Sequence, residues 1–533
     1  MSNFFDAIRK QFRLADRSLD EATHQSLQES ILAWLGMRTR EKEARGEAVN
    51  GVLFQAFHWF LPNDSQHWKR LAEDVPSLAK SGFTALWLPP ACKGSGGTND
   101  VGYGIYDLYD LGEFNQKGTV PTKYGTRDDF VALVEAGTRA GLHLYADVVF
   151  NHKLGGDKEE DFEAIPVAEN NRTQETAPPE KIKSYTCFEF AGRGGKYSTM
   201  QYHWQHFNAV DFNSYKPNEK HIYRMKDKSF ATKVELEKGN FDYLMGCDVD
   251  VEHPEVKADL QRCGEWMLDF GIDGFRLDAI KHIQGDFFHE WLDALEKKLG
   301  RDIFAVGEYW SPDVNTLNWY IANTAGRLSL FDVGLHYRLA EAGNRGKDFD
   351  MRTIFDGSLV QRIPILAVTF VDNHDTQPQT SLQSPVADWF KPLAYALILL
   401  RRDGYPCVFY GDYSGAEYEV NGVRVKLPSH RFLIDKFLAA RSDYAYGSQN
   451  DYFDHGNVIG WTRLGSETHP GGLAVLMSNG DNGTKWMDIG HPNSRYIDIT
   501  GHICDPVHTN NQGWGEFRCP GGKVSVWIPQ QES

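Results

Sequence analysis

From Gly51 onward, short apolar runs alternate with stretches of helical periodicity. The runs are Val52–Phe57, Phe83–Leu88, Leu142–Val149, Gly274–Leu277, Ile303–Val306, Ser329–Val333, Ile365–Phe370 and Tyr405–Tyr410. Unbroken apolar runs of this length suit strands buried on both faces. Eight such runs, with helices between most of them, predict an α/β fold: a parallel (β/α)8, or TIM, barrel over 50–151 and 249–443. Between Asn151 and about Asp248 the rhythm breaks, and Gly, Tyr, His and Trp become frequent. That stretch is too long for a loop, so 152–248 reads as a subdomain inserted after strand 3. After about Tyr444 helical periodicity vanishes. Val458–Arg463, Leu473–Ser478 and Lys523–Ile528 alternate between turn residues. This predicts a C-terminal antiparallel β-sandwich over 444–533.

Residues 1–49 are polar and free of proline. Phe4, Phe5, Ile8 and Phe12 recur at helical spacing, as do Leu27, Ile31, Leu32 and Leu35. A helical extension follows, serving as packing on the main body, an oligomer contact or a lid.

Composition narrows the function. With 41% hydrophobic and 24% charged residues, the chain is that of a folded protein. Its formal net charge of −17 disfavours nucleic acid and anionic membranes as partners. Aromatic residues reach 13%, which serves either a large core or ring-stacking on a flat, weakly polar ligand such as a sugar. Seven cysteines without a CxxC pair indicate neither a disulfide framework nor a zinc ribbon. Free thiols suit a reducing cytosol. The first residues carry charges every few positions, unlike a secretory signal, and no window approaches ~18 uninterrupted apolar residues. A cytoplasmic location without a membrane span is the expectation.

Polar residues at the C-terminal ends of barrel strands are catalytic candidates. Four strand ends stand out: Asp147-Val-Val-Phe-Asn-His152, Gly274-Phe-Arg-Leu-Asp-Ala-Ile-Lys-His282, Phe304-Ala-Val-Gly-Glu-Tyr-Trp310 and Phe370-Val-Asp-Asn-His-Asp-Thr376. Any one alone could be a helix cap or a buried ion pair. Four on one barrel converge on one mouth. No phosphate loop, dinucleotide fingerprint, GxSxG or HExxH accompanies them. Several carboxyls beside aromatic rings are what glycoside hydrolysis requires.

These motifs resemble the conserved regions of glycoside hydrolase family 13, the α-amylase family, and are closest to its bacterial liquefying type. The likeness spans roughly 51–533. It includes Gly82-Phe-Thr-Ala-Leu-Trp-Leu-Pro-Pro90, Val101-Gly-Tyr-Gly-Ile-Tyr-Asp107, Lys117-Gly-Thr-Val, Asp242-Tyr-Leu-Met and Gly404-Tyr-Pro-Cys-Val-Phe-Tyr-Gly-Asp412. The resemblance implies Asp278 as nucleophile, Glu308 as general acid/base and Asp375 as the carboxylate that binds sugar hydroxyls. It implies His152 and His374 as hydroxyl-binding histidines, Tyr103 as a stacking ring, Gln55 as an adjacent polar contact and Lys281 as a contact on the leaving-group side. Arg276 precedes Asp278 by two residues, so on a strand both point the same way. A guanidinium there favours an ionised nucleophile. Trp59 and Trp310 are candidates for sugar platforms or for core packing. Asp147, Asp372 and Asp412 are expected to fix local hydrogen bonds.

Asp248-Val-Asp-Val-Glu252 alternates acid and apolar residues, so on a strand three carboxylates would share one face. Alone this is a solvated face or a cation site. The resemblance places a structural calcium on Asn151, Asp242, Asp248 and the carbonyl of His282. The liquefying pattern often holds further ions, and gapless matching puts Thr199 and Ala231 where their carboxylates would be. One Ca²⁺ is therefore expected. The implied activity is endo-acting, retaining hydrolysis of α-1,4 bonds in starch, glycogen or maltodextrins. A transglycosylase on the same fold and a non-catalytic glucan-binding protein are the alternatives.

Overall fold

The computed structural model describes residues 50–530, so the helical extension expected at 1–49 lies outside the described residues. Eight parallel strands close a barrel: β1 (Leu53–Gln55), β2 (Ala85–Trp87), β3 (His143–Val148), β4 (Gly274–Leu277), β5 (Phe304–Gly307), β6 (Ser329–Phe331), β7 (Ala367–Phe370) and β8 (Tyr405–Phe409). Each lies within or beside one apolar run of the sequence, and each pairs with its neighbours in chain order, β8 returning to β1. The strands are buried almost throughout, as the lack of alternation requires.

Helices wrap the barrel with one apolar face inward. His67–Ser81 buries Trp68, Leu71, Val75 and Leu78, and stops at Gly82, whose φ of 107° a side chain would resist. Arg127–Arg139 starts at a Thr126–Asp129 capping box. Lys391–Leu400 is apolar all round and buried accordingly.

After β3 the chain leaves the barrel and builds a six-stranded sheet in the order His152–Lys153, Cys247–Val249, Phe207–Val210, Ile222–Met225, Lys158–Val167, Glu180–Cys187. Its return strand, Cys247–Val249, pairs with His152–Lys153, so both ends of the excursion sit side by side at the barrel mouth. Beyond Tyr444 an antiparallel six-stranded sheet faces the Gly483–Asp488 and Trp514–Cys519 pair. Leu476, Met487, Tyr496, Phe517 and Trp527 fill the space between.

All seven cysteines are free, and Cys504 alone is exposed. Among the described residues no helix is long and apolar enough to cross a membrane.

Candidate active site

The register of β3 and β4 builds the centre of the mouth. Asp147 lies opposite Arg276. Arg276 is 1% exposed, and its Nη1 donates to Asp147 Oδ1 at 3.0 Å and to Asp278 Oδ1 at 2.5 Å. Its Nη2 lies 3.7 Å from Glu308 Oε2. One buried guanidinium therefore joins three carboxyls. Asp147 is the anchor among them. Its Oδ2 also accepts from Trp87 Nε1 and Tyr103 Oη, both at 2.9 Å, which leaves it a positioning group.

Glu308 is fixed by the N–H of Ala279, which donates to Oε2 at 2.8 Å. Ala279 takes φ 51° to make that approach. Burial pushes the Glu308 carboxyl up to about 8, with Asp278 and Asp375 adding repulsion against the pull of Arg276. Burial likewise raises Asp375 to about 7. Gln55 Nε2 donates to His374 Nδ1 at 2.9 Å, so the neutral ring carries its proton on Nε2. That nitrogen lies 3.3 Å from Asp375 Oδ2. Burial, then the charge of Arg276, holds His374 well below its usual range and thus neutral.

Tyr103, Trp59 and His374 form a group of near-parallel rings, 5.2–5.9 Å apart with interplanar angles of 5–12°. Trp59 thereby belongs to the mouth, whereas Trp310 packs against His336 and Phe370 and donates to Tyr337 Oη. His152 Nε2 bonds Tyr103 O at 2.8 Å. Lys281 Nζ sits over the Phe241 ring and 3.6 Å from Glu237 Oε2. Asp278, Glu308, Asp375, Arg276, Gln55, Tyr103 and His374 are therefore brought together.

The acidic segment after Gly246 differs from its sequence reading. The strand ends at Val249; Asp250 pairs with Lys228 Nζ at 2.6 Å, and Glu252 lies in the turn before the Pro254–Asp269 helix. The strand therefore carries Asp248 alone of the three acids, while Asp250 and Glu252 both line a cavity beside Asp242. This cavity, of about 250 Å³, is also lined by Asn208, Lys228, Ala231 and His282 among others. Asn208, which the sequence analysis did not name, takes a place in its wall, and its Nδ2 donates to Asp242 Oδ2 at 3.4 Å.

Asp242 and Asp248 are 4% and 2% exposed, and Asp248 Oδ2 has no hydrogen-bond partner. Burial pushes Asp242 up to about 7, and burial, then the charge of Asp242, pushes Asp248 well above the usual carboxylate range. Asn151 adjoins them, its carbonyl accepting from Val249 N. Buried carboxylates with an orphaned oxygen, an amide and the carbonyl of His282 form a hard-oxygen donor set that fits a calcium ion.

Comparison with known proteins gives the class. The model of the alpha-amylase catalytic domain matches residues 61–424, and that of the alpha-amylase C-terminal domain matches 473–528. The chain belongs to the alpha-amylase family. It is 49% identical to an alpha-amylase of Geobacillus stearothermophilus over 94% of this chain and 91% of that one. It is 40% identical to the cytoplasmic alpha-amylase of Escherichia coli, over 90% and 99% respectively. The fold also superposes on the alpha-amylase of Geobacillus thermoleovorans solved with acarbose. The TM-score is 0.61 at 18% identity, covering 91% of this chain and 98% of that one.

Proposed function

We propose that this protein is an endo-acting α-amylase, hydrolysing α-1,4-glucosidic bonds of starch, glycogen or maltodextrins with retention of configuration. The observation that carries the reading is one buried guanidinium shared by Asp278 and Glu308, with Glu308 held protonated up to about pH 8. Two unlike carboxyls held against one group favour the close spacing of a retaining enzyme, ~5–5.5 Å, over the wider inverting one.

Asp278, paired with Arg276, attacks the anomeric carbon while the proton of Glu308 moves to the departing glycosidic oxygen. The C–O bond breaks and a glycosyl ester on Asp278 forms. Glu308, now a carboxylate, takes a proton from the incoming water, which cleaves the ester. Asp375 and the neutral His374 bind sugar hydroxyls, with His152 and Gln55 beside them. The Tyr103 ring, with Trp59 near-parallel beside it, gives a flat face for a pyranose. Lys281 contacts the leaving-group side.

Asn151, Asp242, Asp248 and the carbonyl of His282 would hold one calcium ion. A bound ion would supply positive charge to the buried carboxylates and tie the two ends of the inserted sheet to the mouth. In this reading 50–151 and 249–443 carry the chemistry, 152–248 is the inserted subdomain and 444–533 the β-sandwich. The cytoplasm is the proposed location, supported by the free thiols and by the name of the Escherichia coli relative. Chromatography of the products of soluble starch tests the activity. A ladder of maltooligosaccharides early in the reaction is expected, and longer products accumulating from a concentrated short donor would favour transglycosylation instead.

A further inference from the structure

The turn that presents His374 and Asp375 is held from behind the mouth. Asn373 Oδ1 accepts from the backbone N–H groups of Asp375 and Thr376, both at 2.9 Å, and Thr376 Oγ1 accepts from Asn373 N at 3.0 Å. The Thr376 hydroxyl in turn donates to Asp372 Oδ1 at 3.2 Å, where Val386 N also donates at 3.2 Å. Asp372 thus anchors the turn through one oxygen.

Its other oxygen lies 3.0 Å from Lys391 Nζ. Lys391 opens the Lys391–Leu400 helix and also donates to Asp412 Oδ1, just past β8. Tyr395 Oη donates to Asp412 Oδ2 at 2.7 Å. The side chains of Lys391, Asp372 and Asp412 are 3%, 1% and 0% exposed. Taking three charges out of water costs several kcal/mol per ion, and apolar replacements for such groups are often as stable. Stability alone therefore gives a weak reason for an ammonium in an otherwise apolar helix.

We propose that Lys391 is a positioning residue for catalysis: by drawing Asp372 and Asp412 together behind the mouth, it fixes the turn that presents His374 and Asp375 to the sugar. The inference rests on the reading of Asp375 as the carboxylate that binds sugar hydroxyls. Contacts that tighten in the transition state affect kcat more than KM, and a misplacement of about 1 Å can cost ~100-fold.

The test is steady-state kinetics on a chromogenic maltooligosaccharide, well below the melting temperature, with active sites titrated. Lys391→Met is expected to lower kcat by about 10- to 100-fold with KM nearly unchanged, and Lys391→Arg to restore most of it. If Lys391→Met does not fold, Lys391→Met/Asp412→Asn, which removes one charge of each sign, carries the same expectation. Asp375→Asn serves as reference, with an expected loss of several orders of magnitude. A Lys391→Met enzyme that melts earlier but keeps kcat within twofold of wild type would overturn the proposal, leaving the residue a structural one. If instead Asp375→Asn keeps wild-type kcat, the underlying reading of Asp375 fails, and the two failures are told apart.

Discussion

Replacing Glu308 by Gln should abolish activity and stabilise the protein at once. In the folded chain the Glu308 carboxyl is pushed from 4.5 to about 8 by burial, with Asp278 and Asp375 adding to the rise against Arg276. The unfolded chain loses that proton near pH 4.5. Between pH 4.5 and 8 the unfolded state binds fewer protons, so this group lowers stability as pH rises through the window. At ~1.4 kcal/mol per pH unit the ceiling is about 5 kcal/mol. Asp278 and Asp375 share the repulsion and relax with it, so about 2–4 kcal/mol at pH 8.5 is the working figure. Gln removes the ionisation yet keeps an oxygen to accept from Ala279 N. For a chain this long the gain corresponds to a rise in Tm of about 2–4 °C. The assay is thermal unfolding of both proteins from pH 4.5 to 9, beside kcat on a maltooligosaccharide. The difference in Tm should be near zero at pH 4.5 and grow with pH, while kcat falls ~100- to 10,000-fold or more. A variant no more stable than wild type at pH 8.5, or a difference independent of pH, would refute the reasoning.

The remaining predictions concern proton, metal and thiol. Because Glu308 must carry a proton to act as acid, kcat/KM should decline above about pH 8, and a profile flat to pH 10 would reassign the acid. Elemental analysis after dialysis should find one calcium per chain, and Asp248→Ala should lower Tm and activity together, as chelation does. Asp250→Ala should do much less, because Asp250 already pairs with Lys228; two ions per chain, or full activity in chelator, would contradict this. Reductant should move Tm by no more than a degree or so, since all seven cysteines are free; a larger drop would reveal a disulfide, whose loss typically costs ~2–5 kcal/mol.

Where pattern and local geometry coincide, the sequence was readable. The eight apolar runs became barrel strands because buried parallel strands need no alternation. Arg276 and Asp278 face one way because they lie two residues apart at the end of β4. The acidic segment misled for a matching reason. Its alternation has the period of a strand, but the strand ends at Val249 and the chain turns toward Pro254 at the first position of a helix. Asn208 was missed because nothing in the spacing ties it to Asp242, 34 positions away, which it meets only through the fold. The contact of Lys391 with Asp372 and Asp412 was illegible too. A lysine heading an apolar helix gives no hint of which distant acids it will meet.

The central claim is that Asp278 forms a covalent bond to the sugar while Glu308 moves the proton. Trapping measures it most directly. A fluorinated maltosyl fluoride reacts with the protein, and mass spectrometry of the digest locates the added sugar. The account predicts one glycosyl group per chain, on the peptide that contains Asp278, and none on Asp278→Asn. Label on another carboxylate, or no label together with β-configured reducing ends in the initial products, would contradict it.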